Sequence, residues 1–204
     1  MKFEIKNRFT AATQFECELG EEYDSAMYSV KLGAAIMIAI TASSNMRDAD
    51  MSGADMRGAD MSGADMRGAD MSGADMSGAD MSGADMRGAD MSGADMSGAD
   101  MSGADMRRAD MRGANMRGAD FGNGIAVTIP PVSLIGKYWP VWICDSHMRI
   151  GCQVHSHGAW ESFSDNEIIN MSDSAMVFWN ANKKMLLTLC ESQAQLAKAI
   201  KEPA

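Results

Sequence analysis

No stretch of this 204-residue chain is apolar for long enough to cross a bilayer: the most apolar run, Gly33 to Ala42, is about half of the ~20 residues a membrane helix needs. Basic charge is also scarce. Eighteen Lys and Arg stand against 28 Asp and Glu, a formal net charge of −10. That balance argues against non-specific nucleic-acid binding, in which cations displace condensed counterions. The four cysteines (Cys17, Cys144, Cys152 and Cys190) are far apart and form no CxxC pair, which fits free thiols in a reducing compartment better than a disulfide framework. The N-terminus, Met1 to Lys6, alternates charged and apolar residues and lacks a signal-peptide core. A cytoplasmic protein is expected. No glycine-rich phosphate loop opens a helical pattern, so nucleotide chemistry has no anchor.

What the chain has in excess is methionine and glycine, 22 and 20 residues, drawn mostly from one segment. From Ser44 to Asn123 it reads SNMRD, ADMSG, ADMRG and onward to ANMRG and ADFGN, sixteen pentapeptides without an insertion. A period of five matches neither a helix at 3.6 nor a plain strand at 2. It matches a short extended step followed by a turn. Ala and the central Met are two residues apart, so both point to one side of an extended step. Gly at the fifth position supplies the corner, because it tolerates positive φ. Asp and the Ser or Arg after Met are left facing water. The expected core is the column Met51, Met56, Met61, Met66, Met71, Met76, Met81, Met86, Met91, Met96, Met101, Met106, Met111, Met116 and Phe121, alternating with alanines.

The coil size is written in the arginines. Arg47, Arg67, Arg87 and Arg107 are spaced by twenty, while positions 52, 72 and 92 are Ser. Twenty residues are four pentapeptides, so a four-sided coil stacks these arginines in one column. Stacked guanidinium groups repel, and aspartates two residues earlier are expected to interleave with them. Sixteen units make four coils, a rod of about 20 Å at a strand-like spacing of roughly 4.8 Å.

These residues resemble the pentapeptide-repeat family, whose A(D/N)LxX pattern implies a right-handed quadrilateral β-helix. The family usually carries Leu or Phe at the centre, and here it is Met, a volume-conserving replacement that makes a softer core, open to oxidation. A thioether column is also Cu(I) chemistry, but one Met per face, closely packed, reads as core. Some members of the family mimic DNA and occupy type II topoisomerases. The repeat here carries fifteen Asp and eight Arg, roughly one net charge per 3 Å against one per ~1.7 Å for duplex DNA. A short, half-neutralised rod is a poor copy.

The flanks read as caps on the exposed coil ends. Residues 2–9 and 13–19 alternate as a β-hairpin. Ser25 to Thr41 reads as a helix with Met27, Val30, Leu32, Ala35, Ile36, Ala39 and Ile40 as its apolar face. After Asn123, Pro130-Pro131 breaks the chain. Tyr138–Cys144 and Met148–Gln153 read as strands about the turn Asp145-Ser146-His147. Ser164 to Glu167 is a capping box, with Phe163 and Ile168 as its staple. A longer helix runs from about Asp173 to Lys201, with Phe178, Trp179, Met185, Leu186, Leu189, Cys190 and Leu196 as its stripe. The expected architecture is therefore a β-solenoid over 44–123, a cap over 1–43 and a small α+β domain over 124–204. The tail pattern Ile150-Gly151-Cys152, His155, Trp160, Phe163 and Phe178-Trp179 resembles a group of small bacterial and phage pentapeptide-repeat proteins, which implies architecture and no activity.

Cys152, His155 and His157 are the best candidate metal set, since Cys and His are zinc ligands. Their spacing matches no finger or knuckle, and the two histidines share a side only if the segment stays extended. A buried thiol in a strand with two surface or capping histidines is the preferred reading, and no metal or cofactor is expected. A Cys–His nucleophile from the same residues lacks an orienting third group. The sequence therefore reads as a non-enzymatic scaffold or protein-interaction module. Its rivals are a DNA mimic and a zinc module in the tail. The partner is expected to be a protein, with self-association as a further possibility.

Overall fold

The computed structural model describes residues 1–122, 125, 127–128, 132–135, 140–151, 153–172 and 174–201. The chain divides into two compact units, Met1–Ala126 and Val127–Ala204. The hairpin, the first helix and the repeat all belong to the first.

In the repeat, each pentapeptide makes one corner and one rung. Ala54 N donates to Met51 O at 3.2 Å, closing a turn whose third residue, Gly53, has φ 65°. That is the left-handed position a type II turn requires. Between corners the coils hydrogen-bond at intervals of twenty: Met51 N donates to Asp70 O at 2.8 Å, Gly53 N to Ser72 O at 2.9 Å, and Asp70 N to Ala49 O at 2.9 Å. Single-residue parallel bridges run Asp50–Asp70, Asp70–Asp90 and Asp90–Asp110, and likewise along the other faces. Met51 through Met116 are all buried, and Met61, Met71 and Met81 have no exposed surface. Phe121 departs from the expected core. It is only half-buried, because it ends the last coil and has no further repeat stacked on it. Ile125, beyond it, is buried.

Among the described corners, two lack glycine. Asp48 (φ 57°) and Arg108 (φ 63°) hold the same left-handed conformation, which disfavours a Cβ by roughly 1–2 kcal/mol. Arg108→Gly is therefore expected to stabilise the unit by about 1 kcal/mol after glycine's entropy loss, and Gly103→Ala to destabilise it by a similar amount. Urea midpoints compare the two.

The first coil is covered by strand β1 (Lys2–Lys6), paired antiparallel with β2 (Thr13–Glu18), and by helix α1 (Tyr28–Thr41) after a 3-10 turn at Glu21–Tyr23. The hairpin does more than cover. Asp50 N donates to Lys6 O at 2.7 Å and Arg8 N to Asp48 O at 2.8 Å, so β1 continues into the exposed edge of the coil. Gln14 Nε2 ties down Asn45 O and Arg47 O, both at 2.7 Å. Asp55 N donates to Ser29 O at 3.0 Å on the next face. These bonds satisfy edge donors and acceptors that would otherwise template aggregation. Helix α1 starts at Tyr28, not Ser25. Met27 is its N-cap and is 73% exposed, so it leaves the expected apolar face, while Gly33 joins the buried side.

The second unit has a four-stranded antiparallel meander, β3 (Val132–Ile135), β4 (Pro140–Ile143), β5 (His147–Ile150) and β6 (Gln153–Ser156). Two strands were expected, around the turn that is found at Asp145-Ser146. Strands β3 and β6 are additional, and positive φ at Gly151 (60°) ends β5 before Gln153. Tyr138, Cys152, Pro130 and Pro131 lie outside the described residues. Helices α2 (His157–Ser162), α3 (Asp165–Met171) and α4 (Ala175–Lys201) follow. Ser164 and Glu167 form the expected capping box. The core joins Val141, Ile143, Met148 and Ile150 to Trp160, Ile168, Trp179 and Leu186. Trp160 Nε1 donates to Met148 O at 2.6 Å, which satisfies its one buried donor. On α4, Met185 and Leu196 are exposed instead of joining the stripe, and Gln193 and Ala197 are buried in their place. The helix turns them away from the sheet.

Candidate functional site

The polar surface of the repeat is built from one rule. Each Asp at the second position of its unit accepts, through Oδ1, the backbone N–H two residues later, as in Asp90 with Ser92 N at 3.0 Å and Asp85 with Arg87 N at 3.3 Å. This Asx-type bond fastens the corner. Ser adds its hydroxyl to the same carboxylate, as Ser72 does to Asp70 at 2.6 Å. Arg forks across both oxygens. Arg87 donates from Nε to Asp85 Oδ1 at 2.8 Å and from its terminal nitrogen to Oδ2 at 2.7 Å.

The arginine column becomes a ladder. Arg67 pairs with Asp65 and stands 3.4 Å from Asp85 in the next coil; Arg87 pairs with Asp85 and stands 3.7 Å from Asp105; Arg107 pairs with Asp105 at 2.6 Å. Arg47 departs from the expectation, because the residue two positions before it is Asn45. Asn45 Oδ1 accepts Arg47 N at 2.9 Å and offers no charge. Outside the column, Arg57 and Arg112 pair with Asp55 and Asp110 at 2.7 and 2.6 Å. From the hairpin, Arg8 lies 3.4 Å from Asp70 and 3.7 Å from Asp90. The column of Asp60, Asp80, Asp100 and Asp120 is followed by Ser or Gly and has no arginine of its own. Charge is therefore balanced on one face and uncompensated on another.

Arginine forks hold the carboxyls of Asp65, Asp85 and Asp105 below the ordinary range, and the Ser62 hydroxyl does the same for Asp60. None of these groups is raised toward neutrality, which is what proton transfer would need. Because their folded values are depressed, they stabilise the fold above the ordinary carboxyl range and lose that contribution as pH falls below about 4.

In the second unit the candidate residues separate. Cys152 lies outside the described residues. His155, on β6, packs edge-on against Trp160 and Phe163 with ring centroids 5.2 and 4.9 Å away. His157 begins α2 immediately after the N-cap Ser156, so the chain stops being extended between the two histidines. His157 N donates to Ser146 O at 2.9 Å, and its Nε2 is buried with no hydrogen-bond partner. Among the described residues, no three His, Cys, Asp or Glu side chains are grouped to hold a metal. Burial pushes the Cys144 and Cys190 thiols up to about 12, far from a nucleophilic thiolate at neutral pH. Among the described residues no helix is long and apolar enough to cross a membrane.

The histidines make the second unit acid-sensitive. Burial lowers His147, His155 and His157 below the ordinary imidazole value. Unfolding lets them take up protons, so their contribution is present above about pH 6.5 and lost as pH falls through their folded values. Tryptophan fluorescence is expected to report loosening of this unit between about pH 6.5 and 5, before the aspartates of the repeat protonate. The fluorescence reports this unit alone, since all four Trp residues follow residue 138.

Comparison with known proteins points to the repeat. The family model for pentapeptide repeats matches residues 44–83 and 84–123. Among solved structures, the chain is similar to a pentapeptide-repeat protein, Rfr23, from the cyanobacterium Cyanothece 51142. The identity is 24%, over 35% of this chain and 50% of that one, with a TM-score of 0.29. It is similar to HetL of Nostoc, a pentapeptide-repeat protein involved in regulating heterocyst differentiation, at 28% identity, over 38% and 40% of the two chains, with a TM-score of 0.25. A thylakoid-lumen pentapeptide-repeat protein of Arabidopsis thaliana matches at 34% identity, over 38% and 58%, with a TM-score of 0.23. The chain thus spans between 40% and 58% of the length of these three structures. No curated protein matches it.

Proposed function

The chain belongs to the pentapeptide-repeat family through residues 44–123, and from that premise we propose that it is a non-enzymatic platform for binding another protein. We take its coil to be right-handed and four-sided, as the family's fold implies. The observation that carries the reading is the use of the polar side chains. Aspartates along every face are committed to turn bonds, and Arg67, Arg87 and Arg107 to forked ion pairs, so the faces are fixed, regular and chemically inert. A rigid surface of this kind costs little conformational entropy when a partner docks.

The DNA-mimic reading is the weaker one, since Arg67 and Arg87 each stand against two carboxylates and cut the field that such a mimic needs. Photo-crosslinkers placed one at a time at Ser72, Ser77 and Ser82, on three faces, test the platform in an extract of the native host. A discrete protein adduct from one face is the expected result. No adduct from any face, or inhibition of gyrase supercoiling at equimolar protein, would overturn it.

A further inference from the structure

We draw no further inference here: the strongest candidate, the exposed apolar stripe of Met185, Leu196 and Ile200 along α4 of the second unit, carries nothing because nothing among the described residues shows what covers it.

Discussion

Met81→Ala is expected to lower the stability of the first unit by about 3–5 kcal/mol, the loss of a long buried side chain plus the cavity it leaves. Met81 has no exposed surface and belongs to a middle layer, one coil from Met61 and one from Met101. Its backbone is held by hydrogen bonds to the coils on both sides, as in Met81 N to Asp100 O at 2.7 Å and Asp80 N to Ala59 O at 2.9 Å, so the walls cannot collapse inward. Met81→Leu keeps the volume and should cost under about 1.5 kcal/mol. Phe121→Ala should cost less than Met81→Ala, since the ring is half-buried at the end of the stack. Urea unfolding followed by far-UV circular dichroism orders the three. If Met81→Ala and Phe121→Ala were equally mild, the methionines would not be a packed core.

Gly33→Ala carries the second large effect, and its sign opposes helix propensity. Alanine in an exposed helix interior is favoured over glycine by about 1 kcal/mol. At Gly33, however, an added Cβ would lie 1.8 Å from the carbonyl oxygen of Asp55 and 2.8 Å from its carbon. Both are backbone atoms of the first coil, and they cannot move without breaking Asp55 N to Ser29 O and the ladder beside it. The expected outcome is a net loss of about 2–3 kcal/mol, with α1 lifted from the coil. Gly158→Ala is the control: it is helical and open on all sides, and it should gain up to about 1 kcal/mol. Hydrogen exchange of the Asp55 amide locates the damage in the first case.

The repeat was legible because its signals are local and redundant. The arginine spacing of twenty gives the same coil length that the Asp50–Asp70 and Asp70–Asp90 bridges display. Glycine at the fifth position names the corner. The turn-fastening role of Asp, which was expected only to face water, was missed, although an Asp two residues before a Ser or Arg whose N–H it can accept is a local signal for it. The cap was legible as a hairpin and a helix. The importance of Gly33 was not, since close approach to Asp55 is a tertiary fact and glycine adds nothing to an apolar stripe. In the second unit, the capping box at Ser164 was readable from four residues. Strands β3 and β6 are no shorter than β4 and β5, at four residues each, but they lack the marked turn at Asp145-Ser146-His147 that set the inner pair apart, and α2 is a helix of only six residues. The candidate site suffered for the same reason. Whether His155 and His157 share a face depends on where β6 ends, and the Ser156 cap ends it between them.

Engineered disulfides measure the coil length itself. In the double variant Ser72→Cys/Ser92→Cys the two positions are one coil apart, beside the Asp70–Asp90 bridge. Neighbouring strand positions roughly 4.8 Å apart fall inside the Cα range of about 4.4–6.8 Å that a disulfide accepts. Ser72→Cys/Ser97→Cys shifts the second thiol to the next face. Trypsin cuts after Arg87 and separates the two members of each pair, so mass spectrometry reads the linkage against the native thiols. The coil of twenty predicts rapid, near-complete linkage of the first pair and little of the second. Linkage of 72 with 97 as readily as with 92, or no linkage of 72 with 92, would contradict it.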